Sequence, residues 1–318
     1  MPEIGYKLSS EEHGPRALVR NAARAEEVGF SFALISDHYH PWIDKQGESP
    51  FVWGVLGAIA EATERLVVGT AVTCPTIRIH PAIMAQAAAT ATALMPGRFL
   101  FGVGSGEHLN EHVLGDKWPE AEQRIDMLEE AIEVMRLLWD GGLKSHRGRY
   151  YTVENARIYS LPDEPPPIIV AASGEKAAEL AGRVGDGLIS TAPDEDTVKT
   201  FEGAGGSGKP KYAEVLVCWA DSEDDAKNTA HEWWPNAAMG GQLGQELALP
   251  SLFQAVAENV DPDEVAESVS LGPDPEKHIE GIRKFADAGY THICVHQIGP
   301  DQDGFFEFYA DQVLPKLL

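Results

Sequence analysis

Residues 36–42, Ser-Asp-His-Tyr-His-Pro-Trp, place an acid, two imidazoles and two large aromatics directly behind an apolar run. His38 is the group best suited to carry a proton, because an unperturbed imidazole titrates near neutrality and Asp37 or another acid can orient it. A histidine that only hydrogen-bonds its own loop is the plainer alternative. His40 reads as solvent-facing or as support behind the site. Trp42 can wall a flat organic ligand by stacking, or pack against a neighbouring helix. In residues 102–111, Gly-Val-Gly-Ser-Gly-Glu-His-Leu-Asn-Glu, alternate glycines let the backbone approach a ligand or turn tightly. This GxGxG is not the GxGxxG dinucleotide fingerprint. Glu107 can donate or accept a proton, orient His38, or cap a following helix. Asn110 can bond a ring edge or that cap. In residues 171–176, Ala-Ala-Ser-Gly-Glu-Lys, Ser173 and Gly174 stand at a helix start whose free amides suit a phosphate, with Lys176 in support. An ordinary strand-to-helix turn is an equal reading. His38 with His40, His108 with His112, and Cys74 with His80 raise the question of zinc, but no HExxH-type spacing occurs and no metal is expected.

Such residues need elements to position them. Strand-like runs at 4–8, 32–38, 66–72, 98–106, 167–173, 187–190, 214–220 and 292–299 alternate with helical stretches. The runs are mostly solid apolar stretches, as in a parallel sheet covered on both faces. Eight such units predict a closed (β/α)₈ TIM barrel, with a doubly wound open sheet as the runner-up. One domain over 1–318 is expected, with insertions at about 141–166 and 236–272. In a barrel the carboxyl ends of the strands build the active site. Those ends are Ser9 to Glu11, Asp37–His38, Thr73–Cys74, Ser105 to Glu107, Ser173–Gly174 and Thr191.

The chain has 318 residues, 43% of them hydrophobic, and a formal net charge of -25 from 50 acids and 25 bases. That field repels nucleic acid and anionic membranes, so neither is an expected partner. The N-terminus shows no signal-peptide pattern, and no run is long and apolar enough for a bilayer. Three scattered cysteines form no disulfide framework. A cytoplasmic location is expected.

The stretches Ser36–Trp42, GTAVTCPT (69–76), RFLFGVGSGEHLNE (98–111) and AGRVGDGLIS (181–190), in that order, resemble the luciferase-like flavin/deazaflavin superfamily. The nearest resemblance is to its F420-dependent glucose-6-phosphate and secondary alcohol dehydrogenase group, including a branch suspected of using another flavinoid. The resemblance implies a barrel that pairs as a homodimer and uses F420, with FMN or another flavin as the alternative. It implies that His38 works on a substrate hydroxyl, that Trp42 is a wall and that Glu107 is the catalytic acid, with Glu11 a second active-site glutamate. Asp37 would lie beside the cofactor and Asn110 near its ring, while Ala71–Val72 matches a site of a non-proline cis peptide. Cys74, Ser105, Gly106, Ser173, Gly174, Lys176 and Ala177 fall on cofactor-contact positions.

The sugar-phosphate enzymes carry a lysine three residues beyond the Thr191 position, where this chain has Asp194. Their further lysine and arginine fall in the 236–270 stretch, yet no Lys or Arg occurs here between Lys227 and Lys277. A phosphate dianion would meet acids instead of a basic fork. The expected reaction is therefore hydride exchange between the cofactor and an unphosphorylated alcohol or carbonyl compound. The alternatives are an FMN-dependent monooxygenase, an F420-dependent sugar-6-phosphate dehydrogenase, a non-catalytic flavin-binding protein and a barrel hydrolase. The apolar residues of 236–270 are expected to form a lid that chooses the substrate.

Overall fold

The computed structural model describes residues 1–239 and 243–317. Its strands are β1 (Glu3–Leu8), β2 (Phe32–Ile35), β3 (Val67–Thr70), β4 (Phe99–Val103), β5 (Lys144–Arg147), β6 (Thr152–Ala156), β7 (Ile168–Ala171), β8 (Gly187–Ser190), β9 (Lys211–Cys218), β10 (Ser270–Leu271) and β11 (His292–Gln297). Eight of them run parallel in the order β1-β2-β3-β4-β7-β8-β9-β11, and β11 returns to β1. The barrel is closed, which settles the choice against an open sheet.

Helices follow the barrel strands for reasons visible in the sequence. The one over Pro15–Val28 starts with proline at its first turn and stops at Gly29, whose φ of 100° suits glycine and whose amide bonds the Ala25 carbonyl. Leu18, Ala22 and Ala25 recur at helical spacing and turn to the core. No helix among the described residues is long and apolar enough to cross a membrane.

The barrel interior is stratified. A Cβ on Gly5 would lie 2.3 Å from the Phe32 ring, so the glycine makes room for that ring. Phe32 meets Tyr212 edge-on at 5.5 Å, and Leu34, Ile169 and Ile189 complete an apolar floor. Above it, β1, β9 and β11 point Lys7, Glu214 and His296 into an ionic layer. The polar mouth lies beyond.

Strand boundaries differ from expectation where charge enters the interior. β9 begins at Lys211 rather than Glu214, because Lys211 is paired with Glu202 at 2.7 Å and Glu214 with Lys7 at 2.7 Å. β2 stops at Ile35 and β4 at Val103, which frees Ser36–His38 and Gly104–Glu107 for the mouth. The 141–166 segment carries the antiparallel β5–β6 pair, and the Glu130 carboxylate gathers the Arg149, Tyr150 and Tyr151 amides beside it. The 236–272 segment carries helices Leu243–Glu246, Pro250–Ala257 and Pro262–Ser268, then β10.

Candidate active site

His38 lies just past β2, held by three neighbours. Its Nδ1 is 3.2 Å from the His40 carbonyl, which can only accept, so Nδ1 carries hydrogen. In the neutral ring the lone pair is then on Nε2. That atom stands 3.5 Å from Glu11 Oε1 and 3.4 Å from Glu107 Oε2. A proton gained at Nε2 thus arrives between two carboxylates. The carboxylates at Nε2 are those of Glu11 and Glu107, while Asp37, the other acid the sequence offered as an orienter, makes its contacts with Thr73 and Arg78.

The two carboxylates are differently tuned. Burial works against ionisation of Glu11, but His38, Lys7 and the Ser36 hydroxyl outweigh it and hold its carboxyl below the usual range. Ser36 donates to Glu11 Oε2 at 2.5 Å and Ser9 at 3.2 Å. Glu107 goes the other way. Burial pushes its carboxyl up despite His38, softened because 30% of the side chain remains open. Glu107 sits at the N-cap of the His108–Glu111 turn but makes no side-chain cap. Its oxygen instead accepts from Asn110 Nδ2 at 3.0 Å, while Asn110 Oδ1 receives the Tyr39 and His40 amides at 2.8 and 3.2 Å. Asn110 therefore ties the histidine loop to the acid.

Trp42 meets the His38 ring at 5.0 Å on one side and Phe253 at 5.1 Å on the other. Trp42 thus packs between the His38 ring and the 236–272 insertion. His40 supports from behind, its Nδ1 on the Leu109 carbonyl at 3.0 Å.

Asp37 is clasped from another direction. Thr73 donates to it at 2.7 Å and Arg78 at 3.0 Å, and the Arg78 amide donates to Glu111 at 2.7 Å. Burial drives the Glu111 carboxyl up to about 7 even with Arg78 beside it. Arg78 and Glu111 escaped the sequence reading.

The positions expected to meet a cofactor lie past the carboxyl ends of β3, β4 and β7. The Ala71–Val72 peptide is cis, and both side chains are half-buried at the rim. Ser105 and Gly106 are half-buried, and Cys74 is buried with its Sγ 3.0 Å from the Thr76 hydroxyl. The glycines of 102–106 serve the neighbouring strand: added Cβ atoms would meet the Thr70 oxygen at 1.9 Å, Val72 at 2.7 Å and Cys74 Sγ at 2.6 Å. Ser173, Gly174 and Lys176 are exposed, Ala177 is half-buried, and Lys176 pairs with Glu122. The helix Glu175–Val184 begins with no side-chain cap, and a Cβ on Gly174 would meet nothing within 4 Å. Free amides over open space fit the anionic end of a nucleotide-like tail, and the half-buried rim at Ala71, Val72 and Ser105 fits a flat ring. The residues present therefore fit F420 or a flavin. Thr191 is exposed, and Asp194 caps its own helix by accepting from Asp196 N at 2.9 Å and Thr197 at 2.7 Å. The structure does not bring either into contact with His38.

Beneath the mouth runs a second chain that sequence reasoning missed. Lys7 Nζ donates to the Ala71 carbonyl at 3.2 Å and to Glu214 at 2.7 Å. Glu214 meets His296 Nδ1 at 3.0 Å, and His296 Nε2 meets Glu12 at 2.9 Å. Glu12 in turn accepts the Gly299 amide at 2.8 Å. Both His296 nitrogens face carboxylates, so both carry hydrogen. Burial opposes that charge, but Glu12 and Glu214 raise the imidazole to about 9, while Lys7 and His296 overcome burial to lower Glu214 to about 2. The available signal was parity: Gly5 and Lys7, Tyr212 and Glu214, Cys294 and His296 lie two apart on strands whose alternate faces are inward.

A closed parallel barrel with an acid–histidine–acid cluster at its strand ends narrows the class. The luciferase-like monooxygenase family matches residues 1–292. The chain belongs to the luciferase-like F420/flavin oxidoreductase superfamily and is an oxidoreductase of that class. More particularly, it is related to the branch of F420-dependent sugar-phosphate and alcohol dehydrogenases. It is 37% identical over 326 residues to the F420-dependent glucose-6-phosphate dehydrogenase of Microbacterium testaceum, covering 99% of this chain and 97% of that one. It is 36% identical over 331 residues to the enzyme of that name from Amycolatopsis mediterranei, covering 100% and 99%. Among solved structures, an F420-dependent secondary alcohol dehydrogenase in complex with an F420-acetone adduct superposes with a TM-score of 0.92 at 31% identity, over 98% of both chains. The F420-dependent tetrahydromethanopterin reductase of Methanopyrus kandleri, at 22% identity and a TM-score of 0.81 over 100% of this chain and 99% of that one, shares the fold.

Proposed function

We propose that this protein exchanges hydride between F420, or a flavin such as FMN, and an unphosphorylated alcohol–carbonyl pair, with residues 1–318 acting as one barrel domain. When bound, the deazaflavin or flavin ring supplies the two-electron acceptor or donor. The observation that carries the reading is His38 Nε2, a lone-pair position set by the His40 carbonyl and flanked by Glu11 and Glu107. In oxidation, Nε2 takes the hydroxyl proton as the carbinol hydrogen departs with its electron pair. The new imidazolium is stabilised by both carboxylates. Glu107, readier than Glu11 to be protonated, can hold a proton at its carboxylate beside His38 and would lie near the ring when the cofactor is bound. Trp42 and Phe253 exclude water from one side. Ala71, Val72, Cys74, Ser105, Gly106, Asp37 and Asn110 would hold the ring region. Ser173, Gly174, Lys176 and Ala177 would hold the anionic end.

The substrate choice rests on charge. Near the mouth, Lys7 is engaged by Glu214, Arg78 by Asp37 and Lys45 by Glu232. Asp194 adds a carboxylate where a phosphate would need a cation. Glucose 6-phosphate as substrate is the second reading, and the names of the relatives at 36–37% identity favour it. The two part in one assay: purified protein is tested for quenching of F420 and FMN fluorescence, then supplied with secondary alcohols or glucose 6-phosphate. Turnover of alcohols alone supports our reading, efficient turnover of the sugar phosphate replaces it with the second, and failure to bind either cofactor ends both. We further propose a homodimer in the cytoplasm that engages neither nucleic acid nor membrane.

A further inference from the structure

We infer that Lys7 is a positioning residue, which fixes the Ala71 carbonyl from inside the barrel and supplies the counter-charge to Glu11 and Glu107 beside His38. The ionic layer is continuous with the mouth at two points. One is the bond from Lys7 Nζ to the Ala71 oxygen, on the rim proposed for the cofactor ring. The other is the dipeptide Glu11–Glu12, whose first carboxylate faces His38 and whose second faces His296.

Lys7 is well placed to act and has little freedom to do anything else. Its side chain is 6% exposed, and Glu214 holds the ammonium at 2.7 Å. Glu214 is itself held by His296, and His296 by Glu12, so each partner has its own anchor. The charged or titratable groups around Lys7 are Glu214 on β9, Cys294 on β11, Glu11 after β1 and Glu107 after β4. Burial drives the Cys294 thiol far above its ordinary range, so it stays neutral. Around Glu107 stand His38, Glu11 and Lys7, with Asn110 as hydrogen-bond donor. The Lys7 charge favours the ionised form of both mouth carboxylates.

Stability alone is a poor reason for such a layer. Well-packed apolar residues commonly replace a buried ion network with no loss of stability, and the floor just below is built that way. A charge retained one layer beneath two catalytic carboxylates has a use there that an apolar residue lacks.

The inference relies on the oxidoreductase reading for its kinetic readout. The experiment uses the full chain with Lys7→Met and Glu214→Gln combined, so that Glu214 is not left as a buried carboxylate without its partner ammonium. Thermal melting checks folding. The acid limb of kcat/KM should move up by about one pH unit, because Glu11 and Glu107 take up protons earlier without the cation. Affinity for F420 or FMN, read by fluorescence quenching, should fall about tenfold as the Ala71 carbonyl loses its anchor. A folded double variant with the wild-type limb and affinity overturns the role of Lys7. Should that variant not fold, Lys7→Gln, which keeps donors but no charge, is measured identically: a shifted limb upholds the inference and an unshifted one overturns it. A wild type that binds neither F420 nor FMN sinks the oxidoreductase reading and this inference together. A working wild type beside an indifferent variant sinks only the second.

Discussion

Two histidines in this barrel each lie between two glutamates, and they are built for opposite ends. His296 is fully buried, with a separate carboxylate on each nitrogen at 2.9 and 3.0 Å. His38 turns one nitrogen to a carbonyl and leaves the other facing two carboxylates at 3.5 and 3.4 Å. The first arrangement satisfies both donors of an imidazolium and holds the charge in place. The second stabilises an imidazolium once formed, yet leaves Nε2 free to release its proton. Residue type and neighbours are the same in both. The two sites differ in how many nitrogens the carboxylates occupy and how tightly, and that difference is what would make His38 the proposed proton carrier and His296 a fixed charge.

The comparison breaks first at His38. Changing His38→Ala should lower kcat about 10²- to 10⁴-fold, the usual worth of a positioned general base, with little change in cofactor binding or melting temperature. His296→Ala should do the reverse. It leaves Glu12 and Glu214 buried around a lost cation and should cost about 3–5 kcal/mol of stability, measured by denaturant unfolding. Equal effects of the two variants on both readouts would erase the distinction.

Stability against pH sharpens it. The His296 value is raised from 6.5 to about 9, so its contribution is full below pH 6.5 and is lost as pH rises through about 9. The Glu214 value is lowered from 4.5 to about 2, so its share is full above pH 4.5 and is lost as pH falls toward 2. Melting temperature should therefore fall on both sides of a plateau between about pH 4.5 and 6.5, and His296→Ala should flatten the alkaline fall.

Smaller effects are expected at the edges of the mouth. Glu107→Gln keeps the Asn110 contact but holds no exchangeable carboxyl proton, and should reduce kcat about tenfold or more. Phe253→Leu loosens the wall behind Trp42 at a cost of about 1 kcal/mol. It should raise KM severalfold with kcat nearly unchanged, in steady-state assays with an alcohol.

Much of this was legible because the barrel strands are short apolar runs punctuated by helices, and parallel strands buried on both faces must read that way. His38 and Glu107 stood out because each follows such a run directly. The loop chemistry of Glu107 was undecided in sequence, since a residue before a helix can cap it or reach outward, and only the position of the His38 loop decides. The ionic layer was illegible for a different reason. Its members come from residues 7, 12, 214 and 296, and although strand parity could turn 7, 214 and 296 inward, which of them meet is fixed only by the fold. The same holds for Arg78 with Asp37 and Glu111. Lys211 also hid the start of β9, because a charge ordinarily signals an exposed position, whereas this one is buried and paired with Glu202.

The neighbouring glutamates at 11 and 12 leave little room for this loop to diversify. Any insertion, deletion or slip that re-aims Glu11 for a new substrate also drags Glu12 off His296 and undoes the barrel centre. New specificities in descendants of this protein should therefore arise in the 236–272 segment, which reaches His38 through the Phe253–Trp42 stack and can be rewritten without touching the charges below.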